Sequence, residues 1–333
     1  MKSILPPIDT IEKTDTFEKY EILKSNISLF ENAAKEIISQ NNFPEEHLIL
    51  FSEGTNIVFA HGQNQVIKLY PPFHQKQFEN ELAVIEFLQN KLSIRTPLLK
   101  AHGEMNQWPY MIMSQLHGTL LETLWDKMEY DNKIIIMKEL GELIREVHSL
   151  PINKLKNINC QWNNFIEKQI LQCEEHHRSR KLSEQLIKQI PEYLKPIINS
   201  ISHIEKPVLL TGEYTPMNIL VEKKSDTWHI SGLFDFGDCM LGLAEYDLLG
   251  PGAFLIQGDK NLLKEFLIAY GYSLNELTST LSHKLTALML LHQCSNLNIQ
   301  IRIPDWKNKI SNLKELEDLV WGMKEDSSIE KYR

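Results

Sequence analysis

Cysteine is scarce: Cys160, Cys173, Cys239 and Cys294 are the only four in 333 residues, and no C-x-x-C pair occurs among them. That excludes a disulfide framework and a zinc site of ordinary spacing, and it fits a reducing, cytoplasmic setting. Long apolar runs are missing too. The most apolar stretch, Ala287–Leu291, is closed by His283, Lys284, His292 and Gln293, far short of the roughly 18 apolar residues of a membrane span. Prolines and acids break the start, Met1-Lys2-Ser3-Ile4-Leu5-Pro6-Pro7-Ile8-Asp9, so no secretory signal is expected there. Nor is there a basic surplus. Lys and Arg number 35 against 44 Asp and Glu, a net charge of −9, which argues against a dedicated nucleic-acid binder with its basic face. From Gln161 onward 23 acids stand against 19 bases, and before it 21 against 16. The acid is therefore spread, and the count reveals no acidic funnel for a cationic ligand.

What is present is ordinary globular composition, 42% hydrophobic and 24% charged, at a length that suits two unequal domains or one elaborated enzyme fold. Phe17–Gln40 has helical apolar spacing. His47–Phe51, Asn56–Ala60 and Gln65–Tyr70 then read as strands, with turns at Glu53-Gly54-Thr55 and His61-Gly62-Gln63-Asn64. In the segment from Gln75 to Asn90, Phe78, Leu82, Ile85 and Leu88 recur three or four apart, which predicts an amphipathic helix. Leu98–His102 and Pro109–Ser114 are two more strand candidates. Beyond Gly118 helices dominate: Leu120–Met128, Lys133–His148, Trp162–Gln172, a stretch from Ser183 to Ser200 punctuated by Pro191 and Pro196, and the chain from about Asn261. A short β-rich island at 208–234 interrupts them.

That island carries the chemistry. Thr211-Gly212-Glu213-Tyr214-Thr215-Pro216-Met217-Asn218 is a polar loop between apolar strands, and Asp235-Phe236-Gly237-Asp238 closes the next strand. Alone, the second tetrapeptide is no more than a turn. In this order, a carboxylate, an amide five residues on and a second carboxylate at a strand end are the parts phosphoryl transfer needs. One orients the acceptor hydroxyl and two supply oxygen ligands to magnesium. The sheet block should then hold a lysine for the phosphates. Lys68 stands inside Val66-Ile67-Lys68-Leu69, where it could also be an edge-strand charge. The helix that follows offers Glu79 and Glu81 as its ion partner; Glu81 is preferred because it leads into Leu82-Ala83-Val84-Ile85, where the helix turns its apolar side inward.

With these residues in view, the chain resembles the aminoglycoside phosphotransferase branch of the protein-kinase-like superfamily, from about Leu48 to Leu249. The run Gly232–Asp238 followed by Ala244-Glu245-Tyr246-Asp247-Leu248 is its most specific part. Within that branch, Trp108–Ser114 and the lysine strand look most like hygromycin B phosphotransferases. The resemblance implies an α+β, bilobal protein-kinase-like fold, a small antiparallel sheet lobe with one helix plus a larger mainly helical lobe. The division expected is 1–44 as a helical N-terminal extension, 45–115 as the nucleotide-binding lobe and 116–333 as the catalytic and acceptor-binding lobe. It implies ATP and Mg2+ as cofactors, and a small hydroxylated acceptor, an aminoglycoside with an antibiotic-resistance role being the best-known type. Lys68 would contact the α- and β-phosphates, Glu81 would position it, and Asn218 and Asp235 would bind magnesium. Ser114–Leu116 would be the hinge whose backbone meets adenine. A protein substrate is disfavoured because no Ala-Pro-Glu motif follows Asp235-Phe236-Gly237.

Two departures stand out. The family's His-Gly-Asp is here Thr211-Gly212-Glu213. The extra methylene of Glu213, the expected catalytic carboxylate, moves its oxygens outward by about 1.5 Å, a misplacement that can cost on the order of 10²-fold in rate. A nucleotide-binding pseudokinase is therefore the alternative. The phosphate loop Glu53-Gly54-Thr55-Asn56 lacks repeated glycines, although an amide or the hydroxyl of Thr55 could still touch a phosphate. Among lesser candidates, Asp238 reads equally as a metal or substrate contact or as a turn cap, and Asp247 as a brace accepting backbone hydrogen bonds from the catalytic loop. His176-His177 resembles a metal pair, but neighbours on a helix diverge by about 100°, so a solvated surface is expected. His283 and His292 read first as packing groups, with lining of an acceptor pocket as the alternative, and Trp125, Trp162 and Trp306 read as core anchors.

Overall fold

The computed structural model describes residues 16–52, 54–155, 158, 161–212 and 214–323; Glu53, Cys160 and Glu213 lie outside the described residues. The chain divides into two compact units. One takes in the chain up to Lys91, Arg95–His117 and Leu233–Asp238; the other takes in Leu92–Ile94, Gly118–Gly232 and the chain from Cys239.

In the first unit, β1 (Leu48–Leu50), β2 (Ile57–His61), β3 (Gln65–Leu69), β4 (Leu99–Met105) and β5 (Trp108–Ser114) form an antiparallel sheet ordered β1-β2-β3-β5-β4. The two-residue periodicity of a strand sorts its side chains. Ile57 and Phe59, Ile67 and Leu69, and Trp108, Tyr110 and Ile112 enter one core. Phe30, Ala33, Ala34, Ile37 and Ile38 of the helix Ile27–Gln40 complete that core, spaced as one face of a helix. The segment read as an extension thus supplies one layer of this unit. Lys68, in register between Val58 and Met111, faces the opposite way, toward the helix Gln75–Leu88 that buries Phe78, Glu81, Val84, Ile85 and Leu88. Asn106 and Gln107, at φ 51° and 69°, close the β4–β5 hairpin in two residues, the left-handed pair that matches strand twist.

The second unit is mainly helical. Its short strands are β6 (Thr119–Leu120), β7 (Val208–Leu210), β8 (Ile219–Lys224), β9 (Thr227–Leu233) and β10 (Met240–Gly242), arranged as β6-β8-β9 and β7-β10. Residues 120–128 are not one helix. Thr119–Leu120 pairs with β8, and a four-residue helix, Leu121–Leu124, and a tighter turn follow. The stretch from Ser183 splits into Glu184–Ile187, Ile190–Leu194 and Ile198–Ser202; Pro191 fits the first turn of the second, where its missing N–H costs nothing. Trp125, Trp162 and Trp306 are core residues at 2%, 1% and 5% exposure.

The helices Tyr130–His148 and Lys260–Tyr270 lie against each other, closely enough that a Cβ on Gly141 would sit 2.4 Å from the Phe266 carbonyl oxygen and 2.8 Å from the Tyr270 nitrogen. Gly141→Ala should therefore destabilise the protein by about 1–3 kcal/mol in urea unfolding, the overpacking outweighing alanine's roughly 1 kcal/mol helix advantage.

His177 corrects a sequence expectation: it is fully buried, its Nε2 2.9 Å from the Leu290 carbonyl oxygen, because it points into the bundle beside Cys173 rather than outward. Burial pushes its pKa down to about 4, opposed by the bond to Leu290. The folded form thus refuses a proton that the unfolded chain takes up, so stability is full above about pH 6.5 and declines toward pH 4. Between about pH 7 and pH 5 this one group should remove about 2 kcal/mol. His177→Gln, which keeps a donor for Leu290, should flatten that part of the urea-unfolding profile.

Candidate active site

The first unit builds a buried charge cluster. Lys68 Nζ donates to Glu81 Oε2 at 2.7 Å and to Asp235 Oδ1 at 2.9 Å, and the Tyr70 hydroxyl donates to the same Glu81 oxygen at 2.7 Å. Tyr70 lies one residue past β3, its N–H still donating to the Pro109 carbonyl at 2.9 Å, and so falls on the side of Lys68 two residues earlier; Glu81 lies on the buried side of the helix Gln75–Leu88. Glu79 stays on the outside, beside Lys76 and Gln75. Burial disfavours the Lys68 ammonium, but the Asp235 and Glu81 carboxylates outweigh it and its pKa is raised. Burial, joined by the nearby Asp235 carboxylate, raises Glu81 more than Lys68 and Tyr70 lower it. For Asp235 the balance falls the other way. Lys68 and the Gly237 N–H overcome burial, and its pKa lies below the ordinary aspartate value.

Asp235 adopts φ 67°, the left-handed region. The turn is held by Phe236, which is fully buried, and by Gln77 Nε2, which donates to Asp238 Oδ1 at 3.1 Å. Asp238 is therefore tied to the helix of Glu81. The Asp235 carboxylate remains 44% exposed, with Lys68 on Oδ1. Near β2, Thr55 is exposed and its carbonyl accepts from Tyr20 Oη at 2.7 Å. At the end of β5, Ser114 is consumed by the sheet: its N–H donates to the Leu98 carbonyl and its Oγ accepts from the Leu98 N–H at 2.8 Å. Leu116 follows, half-buried, two residues before the chain passes into the second unit at Gly118.

In the second unit, the loop after β7 is clamped by Asp247. Its Oδ2 accepts from the Thr211 N–H and its Oδ1 from the Gly212 N–H, each at 3.0 Å. His148 Nε2 adds a contact at 3.1 Å to Oδ2, and its Nδ1 lies 3.0 Å from the Tyr270 hydroxyl. The brace expected of Asp247 is thus present. Gly212 turns at φ 73°, and the Asn218 N–H donates to the Thr215 carbonyl at 3.0 Å to close the far end of the loop. Tyr214 is buried, and a Cβ on Gly250 would lie 2.6 Å from its carbonyl oxygen. His292 stacks on Tyr246 with centroids 4.6 Å apart, and His283 Nδ1 lies 3.1 Å from Glu317.

A model of the phosphotransferase enzyme family matches residues 52–280. The chain belongs to the phosphotransferase enzyme family. Among curated proteins it is similar to the lysine-specific demethylase JMJ21 of Arabidopsis thaliana, 22% identical over 271 residues, which are 65% of this chain and 29% of that protein. The chain thus spans under a third of that relative's length. Solved aminoglycoside phosphotransferases share its fold. The GDP complex of wild-type aminoglycoside 2'-phosphotransferase-IIIa superposes with a TM-score of 0.65 at 17% identity, covering 86% of this chain and 96% of that one. The streptomycin–ATP ternary complex of APH(2")-IIa gives 0.56 at 17%, covering 77% and 87%. APH(3'')-Id of Streptomyces rimosus gives 0.55 at 14%, covering 78% and 98%. The chain therefore has the α+β, protein-kinase-like fold that the resemblance implies.

Several members of these clusters escape a reading of the sequence. Tyr70 carried a signal, its two-residue spacing from Lys68; Gln77 carried one too, four residues before Glu81 on the same helical face. His148 and Tyr270 carried none, since only the tertiary fold brings them to Asp247.

Lys68→Met should cost the protein about 3–5 kcal/mol near neutral pH, because it strands Glu81 in the interior; the half-exposed Asp235 adds little. Since the Glu81 pKa is already raised, protonation as the pH falls relieves the variant. Urea unfolding at about pH 7.5 and about pH 5 should show the deficit shrinking at the lower value.

Proposed function

We propose that the protein is an ATP- and magnesium-dependent phosphotransferase that phosphorylates a hydroxyl of a small polar molecule. The observation that carries this reading is the buried lysine held between a helix glutamate and the aspartate of Asp235-Phe236-Gly237. That pair is how this chemistry fixes a cation for the nucleotide phosphates.

Lys68 would stabilise charge on the α- and β-phosphates, and Glu81, steadied by Tyr70, would hold its ammonium in place. Thr55 would approach the phosphates, and the backbone of Ser114–Leu116 would receive the adenine. Asp235 and Asn218 would hold magnesium. Both are oxygen donors, as a hard cation demands, and the Asp235 carboxylate is open over 44% of its surface. When bound, the metal would neutralise charge on the phosphate oxygens. Glu213 would orient the acceptor hydroxyl and take its proton. The Thr211 and Gly212 N–H groups, which precede it in sequence, are held by Asp247.

Kanamycin and streptomycin occur in complexes of the structural neighbours, which makes aminoglycosides the first acceptors to try. Hygromycin B belongs among them because of the run Trp108–Ser114. GDP, ADP and ATP complexes among those neighbours call for both purine triphosphates in the assay. One feature favours a second reading, a nucleotide-binding pseudokinase: Thr211-Gly212-Glu213 carries Glu where the resemblance leads one to expect Asp.

Nucleoside diphosphate release with magnesium and a panel of aminoglycosides, amino sugars, choline-like alcohols and glycated amines tests the proposal. Glu213→Gln should lower turnover by on the order of 10²-fold or more while magnesium–ATP still binds. Magnesium–ATP binding with no turnover in the wild type, and none lost in that variant, would leave the pseudokinase reading standing. Faster turnover in Glu213→Asp would mark the glutamate as a handicapped base.

A further inference from the structure

The N-terminal helix Thr16–Lys24 reaches the turn that precedes β2 through two side chains. Tyr20 Oη donates to the Thr55 carbonyl at 2.7 Å, and Lys24 Nζ donates to the Gly54 carbonyl at 2.6 Å. A third contact, His74 Nδ1 to Asn56 Oδ1 at 3.0 Å, fixes the next residue. Tyr20 is fully buried and meets Phe73 edge-on, with centroids 5.5 Å apart. Burial raises its phenol pKa, so the hydroxyl keeps its proton and remains a donor. Lys24 is anchored at the end of its helix, where Ser25 and Asn26 turn the chain into the next one.

Peptide planarity gives these bonds a direction. In a trans peptide the N–H points opposite to the carbonyl of the residue before it, and no cis peptide occurs among the described residues. With the Gly54 and Thr55 carbonyls turned toward the helix, the N–H groups of Thr55 and Asn56 point away from it, side by side. Successive N–H groups of this kind form a concavity for anionic oxygens. The loop has one glycine, Gly54, at φ 105°, with open space around it, so glycine-rich flexibility is not what arranges it.

We propose that Tyr20 and Lys24 are positioning residues for nucleotide phosphates: by holding two consecutive carbonyls from behind, they aim the Thr55 and Asn56 N–H groups at the triphosphate. This rests on the nucleotide-dependent reading above and adds to it a role for a helix that precedes the matched family region.

The test is calorimetric titration of the full chain with magnesium–ATP and, separately, with adenosine, which has no phosphate. Tyr20→Phe keeps the ring and changes no charge; Lys24→Met removes the second donor, and Lys24→Arg restores one. Tyr20→Phe and Lys24→Met should each weaken ATP binding about 3- to 10-fold, the range of one net hydrogen bond. Adenosine affinity should move by less than about 2-fold, and Lys24→Arg should recover most of the loss. Gly141→Ala, destabilised in the other unit, should bind ATP as the wild type does. Equal losses for ATP and adenosine, or an equal ATP loss in Gly141→Ala, would reduce the contacts to general support of the fold and overturn the proposal. Wild-type ATP binding with unaffected Tyr20 and Lys24 variants removes the brace alone, whereas a wild type that binds neither ATP nor adenosine removes the nucleotide reading and the brace with it.

Discussion

A cation inside the protein has to be surrounded before it is tolerated, and Lys68 sets that condition for the first unit. An ammonium transferred from water to the interior costs several kcal/mol unless carboxylates stand beside it. Here they come from a helix 13 residues on and from a turn 167 residues on. The requirement explains why Leu233–Asp238 belongs to this unit despite its place in the sequence. It also explains why Glu81 takes a second donor. A carboxylate buried at 2% exposure needs more than one partner, and Tyr70 is the nearest side chain on the same sheet face able to help.

The second unit solves the converse problem with an anion. Asp247 is closed off from solvent, and the groups around it are two peptide N–H donors and a histidine bonded in turn to a tyrosine. Peptide donors are fixed in direction, so a carboxylate that satisfies two consecutive ones fixes the backbone between them. In each unit a buried charge holds an irregular stretch of chain that helix or sheet bonding alone would leave loose.

How much of this could be read beforehand depended on the range of the signal. Strand and helix periodicity located the sheet block, Lys68 and the buried side of its helix, because those patterns are local. The same spacing favoured Glu81 over Glu79. Short elements were harder to see: Met240–Gly242 is a strand because it pairs with Val208–Leu210, and three residues carry no periodicity of their own. His177 is buried because it falls on the one face that its helix buries, in line with Trp162, Ile166 and Cys173, a spacing that the adjacent-pair argument passes over. The layer made by Ile27–Gln40 shows that a helical run at the start of a chain can be core, which its amphipathic spacing allowed and did not require.

The backbone of Asp235 has a last implication. A left-handed conformation costs an L-residue about 1 kcal/mol or more, and glycine escapes that cost. Position 235 is thus one where local conformational preference and side-chain chemistry pull apart. Glycine there would relieve the backbone but would take from the buried Lys68 one of its two carboxylates, so the strain at 235 is retained for the charge. Persistence of aspartate at such a backbone angle in a lineage would record selection for the charge itself, independent of any assay.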